Sequence, residues 1–258
     1  MKKKLITFAM TAVLACIGTT GSAQVIFNTD FGSSADGATN TVSGWESQPV
    51  WAISGGNIQF TGNSFGRARN FGTFAPNVGD TVRVILTDLV RTGDGGEIYR
   101  FGIANDAEHT GANTPMVGTE ATWSGSNFVI GGATDTAYNS GDLLTIQMDF
   151  TRLATGSGWN LTTTINNTTD GSNFASGTAL TSFNTDGQTG AGLGLTASEY
   201  IDAAGSLRYG MRGFGGGAGN DTLDIGGISL EVIAVPEPST FALLGLGVLS
   251  LALLRRRK

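Results

Sequence analysis

The chain has one cysteine, Cys16, and one histidine, His109, in 258 residues. Cys16 belongs to an apolar run near the N-terminus. Beyond that run there is no thiol to form a disulfide, to act as a nucleophile or to ligate a metal, so stability must come from packing alone. A single histidine excludes a multi-histidine zinc site, and a Ser-His-Asp triad would have to use His109. That residue lies in the polar segment Asn105 to Gly111, and no Gly-x-Ser-x-Gly elbow accompanies it, so it reads as a solvated loop histidine. Lysine is scarce too: Lys2, Lys3, Lys4 and Lys258 are the only four, all at the ends. Between residues 24 and 234, eight arginines face 20 acids, a formal charge of −12. This argues against nucleic acid as a partner, while favouring solubility and the attraction of divalent cations. No long 3.6-residue apolar period appears in this stretch.

Both ends carry localisation signals. Met1-Lys2-Lys3-Lys4, the apolar run Leu5 to Cys16 and the small-residue triplet Gly21-Ser22-Ala23 have the order of a signal peptide, residues 1–23, cut by signal peptidase after Ala23 to leave Gln24 first. The run is shorter than the ~20 residues that span a bilayer. Val13-Leu14-Ala15-Cys16 loosely resembles a lipobox, but Leu14 fits it poorly, and Cys16 is read as a small apolar residue of the run. At the other end stand Val235-Pro236-Glu237-Pro238-Ser239-Thr240, an uncharged segment from Phe241 to Leu254, and Arg255-Arg256-Arg257-Lys258. The prolines stop regular structure at the motif. The apolar segment is expected to enter the membrane as a helix with its basic end held in the cytoplasm, which places residues 24–234 outside. Its 14 residues give ~21 Å of helix against a hydrocarbon core of ~30 Å. Such a short span suits a segment held transiently for processing better than a lasting anchor.

Residues 235–258 resemble the tail of the PEP-CTERM family of exported bacterial proteins, through Pro236-Glu237-Pro238, the apolar segment and the basic end. The resemblance implies recognition by an exosortase-type transpeptidase that cuts near the motif, a transient stay in the cytoplasmic membrane, release to the cell surface or matrix, and association with extracellular polysaccharide.

Residues 24–234 have the texture of an all-β protein: glycine-rich, with Ser, Thr and Asn between short apolar runs. Leu144, Ile146, Met148 and Phe150 alternate with Thr145, Gln147, Asp149 and Thr151, and after the turn Ala154 to Gly158 the residues Trp159, Leu161, Thr163 and Ile165 alternate with Asn160, Thr162, Thr164 and Asn166. This predicts a hairpin with one wet face. Further strands are expected over 25–31, 57–61, 81–90, 97–104, 127–130, 207–214 and 228–235, around ten in all, packed as two antiparallel sheets. The opening Phe27 to Gly32, the long hairpin and the closing Gly227 to Val232 resemble the jelly-roll sandwich of concanavalin-like lectins and glucanases.

No catalytic residue is assigned. Laminarinase-like jelly-roll enzymes carry a Glu-x-Asp-x-x-Glu strand. The nearest approach here, Glu199-Tyr200-Ile201-Asp202, lacks the second glutamate, so both acids read as loop carboxylates. Gly216 to Asp224 matches one copy of a calcium-binding nonapeptide, and a single copy supplies half a site. Asp221 and Asp224 are thereby the candidate ligands for calcium, the one cofactor considered. Trp123, in the loop-like setting Thr122-Trp123-Ser124-Gly125, and Tyr138 are the candidates for stacking on a sugar, whereas Trp159 sits on the apolar phase of its strand and is expected in the core. These observations lead first to a non-enzymatic matrix or surface protein with a structural or binding role. A polysaccharide-binding module comes second, and a jelly-roll glycoside hydrolase or lyase third.

Overall fold

A computed structural model of the protein describes residues 22–47, 51–61, 65–93, 98–105, 116–124, 127–153, 159–179, 181–183, 207–214 and 222–235. The expected signal peptide up to residue 21, the apolar C-terminal segment and its basic end lie outside these residues. So do His109, Glu199, Asp202 and Asp221.

The described residues form 18 strands in two sheets, numbered in chain order. The larger sheet has ten: β1 (Ala23–Asp30), β2 (Gly37–Ala38), β4 (Trp51–Ser54), β5 (Asn57–Thr61), β7 (Thr81–Thr92), β12 (Leu144–Arg152), β13 (Trp159–Asn167), β14 (Ser172–Ala179), β17 (Thr222–Ile225) and β18 (Gly227–Ile233). The smaller has eight: β3 (Trp45–Ser47), β6 (Phe65–Phe74), β8 (Ile98–Asn105), β9 (Met116–Ser124), β10 (Asn127–Ile130), β11 (Ala133–Asp135), β15 (Thr181–Phe183) and β16 (Leu207–Phe214). All the pairings are antiparallel. The architecture is the two-sheet antiparallel sandwich expected, and the jelly roll that the resemblance implies, though with 18 strands among the described residues rather than about ten.

The expected hairpin is present. Arg152 pairs with Trp159 and the register runs unbroken to Leu144 with Asn167. Leu144, Ile146, Met148 and Phe150 are buried while the residues between them are half-buried, so one phase meets the core and the other stays wet. Trp159 is buried, as its phase requires. The apolar phases of the two sheets close on each other in one core, where Phe60 of β5 meets Tyr99 of β8 edge to face at 5.4 Å and Phe27 of β1 lies 6.0 Å from Tyr209 of β16.

The larger sheet forks on β7. Up to Thr87, β7 pairs with β18, and from Val90 onward it pairs with β17. Between them Asp88 has a φ of 51°, and the partner strand β12 steps from Ile146 opposite Leu86 to Leu144 opposite Leu89. This bulge of one extra residue lets Leu89 and Arg91 continue the inward phase begun by Val82, Val84 and Leu86. Gly226 sits at the break between β17 and β18 and donates its N–H to the Thr87 carbonyl at 3.0 Å. One branch then continues through β18 to β1, and the other through β17, β5 and β4 to β2.

At one end of the sandwich a buried polar knot ties the sheets together. The Asn167 side-chain amide donates to Asp135 at 2.9 Å and to Asp142 at 3.1 Å, and both carboxylates also accept backbone N–H groups. Each buried oxygen atom in this set has a donor, which is the condition for burying carboxylates at all.

Candidate functional site

Two places bear on function: the outer face of the smaller sheet and the corner from which the C-terminal tail leaves. On the smaller sheet the register crosses five strands as Glu46, Arg69, Gly210, Gly102 and Gly118. The three glycines leave a strip without side chains on the face away from the core. At Gly118 nothing larger is tolerated, because a Cβ there would fall 1.9 Å from the Phe101 carbonyl oxygen and 2.6 Å from Gly102 Cα. The next row aligns Arg67, Arg212, Arg100 and Glu120 on β6, β16, β8 and β9. With Arg69 and Arg208, five of the eight arginines between residues 24 and 234 stand on three adjacent strands of one sheet.

The described side chains here are mostly engaged. Arg69 forms an ion pair with Glu46, and Arg100 pairs with Glu120, its Nε donating at 2.6 Å. The Arg208 guanidinium lies 5.4 Å from the centre of the exposed Phe71 ring. Burial, and after it the nearby charge of Arg208, holds the Arg69 guanidinium below its ordinary value. Arg69–Glu46 and Arg100–Glu120 are two oriented ion pairs beside the glycine strip, and among the described residues they join no acid, base and nucleophile into a catalytic set.

The predicted stacking aromatics are not on the surface, and that expectation is corrected. Trp123 is on the inward phase of β9 between Tyr99, 4.9 Å away and stacked, and Phe128, 6.3 Å away and nearly parallel. Its ring is thus enclosed by protein side chains. Tyr138 is 2% exposed, and its hydroxyl donates to the Arg91 carbonyl and accepts the Arg91 N–H, both at 3.2 Å. Burial pushes its phenol up, with the Arg91 backbone contact acting in the opposite direction. Thr122-Trp123-Ser124 looks like a loop by composition, but pairing with β10 makes it a strand. Asp224 is likewise used by the fold: it is half-buried on β17 and accepts from Gln59 Nε2 at 2.6 Å across the β5 pairing. Among the described residues no three His, Cys, Asp or Glu side chains gather as a metal site would need.

At the tail corner the last strand, β18, is flanked by β1 and β7, so Ile233 has Ala23 on one side and Thr81 on the other. Ala234 N–H donates to the Ser22 carbonyl at 3.2 Å, and Val235 N–H donates to Asp80 Oδ1 at 3.0 Å. Pro236 follows and has no N–H to offer, which ends the run of main-chain bonds at the first residue of Val-Pro-Glu-Pro.

Residues 234–258 match the PEP-CTERM protein-sorting motif. A tail of this kind marks an exported protein, and the motif begins where the last strand ends. No curated protein matches the chain in sequence. Among solved structures the sandwich is similar to the winged bean acidic lectin complexed with methyl-α-D-galactose, at 10% identity and a TM-score of 0.56, over 82% of this chain and 99% of that one. It is also similar to the carbohydrate recognition domain of Emp47p, at 12% identity and a TM-score of 0.52, over 83% and 97%. Peanut lectin with a bound nine-residue peptide matches at 16% identity and a TM-score of 0.50, over 84% and 100%. At these identities the likeness is one of fold: a lectin-like jelly roll carrying a PEP-CTERM tail.

Proposed function

We propose that the protein is secreted through its N-terminal signal peptide, held in the cytoplasmic membrane by its C-terminal segment, and processed by an exosortase-type transpeptidase. Its sandwich, residues 24–234, then works at the cell surface or in the matrix as a non-enzymatic module that binds extracellular polysaccharide. The observation that carries this reading is the junction itself: a sorting tail starts directly at the end of the last strand of a lectin-like sandwich, so that sandwich is what the tail delivers. The part-exposed carboxylates of Glu46 and Glu120 on the smaller sheet, held by the buried Arg69 and Arg100, are the candidate contacts. Carboxylates fixed in place by ion pairs suit the hydroxyls of a glycan. No catalytic residue and no cofactor are assigned.

The test is a pull-down of the surface-released protein with polysaccharide purified from the producing cells, together with mass spectrometry of its C-terminus. Retention on polysaccharide and the absence of peptides beyond the Pro-Glu-Pro region are expected. A released protein that still ends in Arg255 to Lys258 removes the sorting half of the proposal, and failure to bind any of the cells' polysaccharides removes the other half.

A further inference from the structure

Asp80 stands in the tight turn from β6 to β7, and its side chain accepts two backbone N–H groups. One comes from Asn77 at 2.7 Å and belongs to the turn; the other comes from Val235 at 3.0 Å, 155 residues away. The turn is itself pinned to the end of β12: Gly79 donates to the Arg152 carbonyl at 2.7 Å, and Arg152 N–H donates to the Asp80 carbonyl at 2.9 Å. The Arg152 side chain adds a bond to the Pro76 carbonyl. Asp80 is 5% exposed, so this carboxylate sits on a rigid support formed by two other strand ends. The Val235 side chain lies over the turn, where a Cβ on Gly79 would stand 3.3 Å from its Cγ2. None of this is needed to close the core. Val235 is half-exposed and lies two residues beyond the end of β18, so Asp80 grips the chain at the residue directly before Pro236.

The other bond at this corner runs from Ala234 to Ser22, which lies on the signal-peptide side of the expected cut after Ala23. Removing the signal peptide removes that acceptor. The Asp80–Val235 bond then remains as the outermost main-chain tie among the described residues, and Pro236 has no N–H to supply another.

We propose that Asp80 is a positioning residue for processing of the sorting tail. By holding Val235 N–H it fixes the boundary between sandwich and tail at a constant offset from Pro236, so the processing enzyme meets its motif at one defined distance from a folded surface and cuts on the C-terminal side of Val235. In that cut one peptide bond breaks. The acyl half stays with the sandwich and passes to water or to an acceptor amine or hydroxyl, while the new amine stays with the apolar segment. The inference rests on the tail being processed. A hydrogen bond to a carboxylate is among the stronger ones, and its loss raises the frayed fraction of the strand end by about ten-fold or more.

The experiment uses the full-length chain in its producing cells and follows, by intact-mass spectrometry, the C-termini of the released protein and the rate at which the tail-bearing form disappears. Wild type is expected to give one C-terminal species ending at or beyond Val235. Asp80→Ala is expected to give ragged ends, some inside residues 230–235, and a several-fold slower loss of the tail-bearing form. An Asp80→Ala protein with a wild-type melting temperature, the same single C-terminus and the same rate overturns the proposal. Where Asp80→Ala does not fold, Val235→Pro is compared with Val235→Ala, which also loses the valine side chain but keeps the N–H, both leaving the Asn77 bond in place: ragged ends in Val235→Pro alone support the proposal, and the same end and rate in the two overturn it. If wild type itself keeps Arg255 to Lys258, the sorting reading has failed. If wild type is cut and neither Asp80→Ala nor Val235→Pro differs from it, only the role of Asp80 has failed.

Discussion

The guanidinium carbon of Arg91 lies 4.4 Å from the centre of the Trp123 ring, inside the sandwich, with 3% of the arginine and 6% of the tryptophan exposed. A cation stacked on an aromatic face is more strongly attracted where water is excluded. Here the contact extends an aromatic chain from Trp51 through Phe60, Tyr99, Trp123 and Phe128 to Tyr138, with neighbouring ring centres between 4.9 and 6.3 Å apart. The aromatic residues that would serve a sugar site on the surface serve the core instead.

Trp123→Ala should therefore act on stability. A loss of about 3–5 kcal/mol is expected from the deleted ring and the cavity left between Tyr99 and Phe128, measured by urea unfolding. Binding of polysaccharide by the folded fraction should stay as in wild type. A variant that keeps its unfolding midpoint and loses binding would return Trp123 to a ligand role.

Tyr209 illustrates the opposite case. Its ring contributes to the core against Trp45 and Phe27, but its hydroxyl is buried without a hydrogen-bond partner among the described residues, and burial pushes the phenol far up from its ordinary value. Tyr209→Phe keeps the ring and removes the unsatisfied group, whose desolvation costs about 1–3 kcal/mol. The variant should melt higher than wild type by a few degrees in differential scanning calorimetry. A lower melting temperature would mean that the hydroxyl has a partner in solution.

Asp224 gives a pH-dependent expectation with a definite sign. Burial raises its carboxyl above the ordinary value, and the Gln59 hydrogen bond offsets part of that rise. Because the folded value is the higher one, the folded state binds more protons than the unfolded state between the two values, so stability falls as pH rises through that window, starting near about 4. Asp224→Asn keeps an oxygen for Gln59 and does not titrate. It should be more stable than wild type at pH 7, by less than about 1 kcal/mol because the site is half open to solvent, and the gain should vanish below about pH 4. Thermal melts at a series of pH values read this directly, and a variant that is less stable at pH 7 would show that Gln59 requires the charge.

The sequence by itself determined the parts that depend on short-range pattern. Period-two alternation marks β12 and β13 down to their pairing, because each side chain's face follows from its parity along the strand. The matched motif at residues 234–258 is equally local: prolines, apolar segment and basic end are adjacent in the chain. Strands such as β6 and β9 were not legible, since Arg67 and Arg69 break the apolar alternation of Phe65 to Phe74, Gly118 and Glu120 break that of Met116 to Ser124, and only their neighbours supply the reason. Arg69 on β6 and Glu120 on β9 are tolerated there because Glu46 and Arg100 stand beside them on other strands. Tertiary structure alone decided that Trp123 and Tyr138 turn inward, that Gly210, Gly102 and Gly118 line up as one strip, and that Asp80 meets Val235 across 155 residues. Each of these is a relation between distant segments, fixed by sheet order and register, and no window of sequence contains both partners.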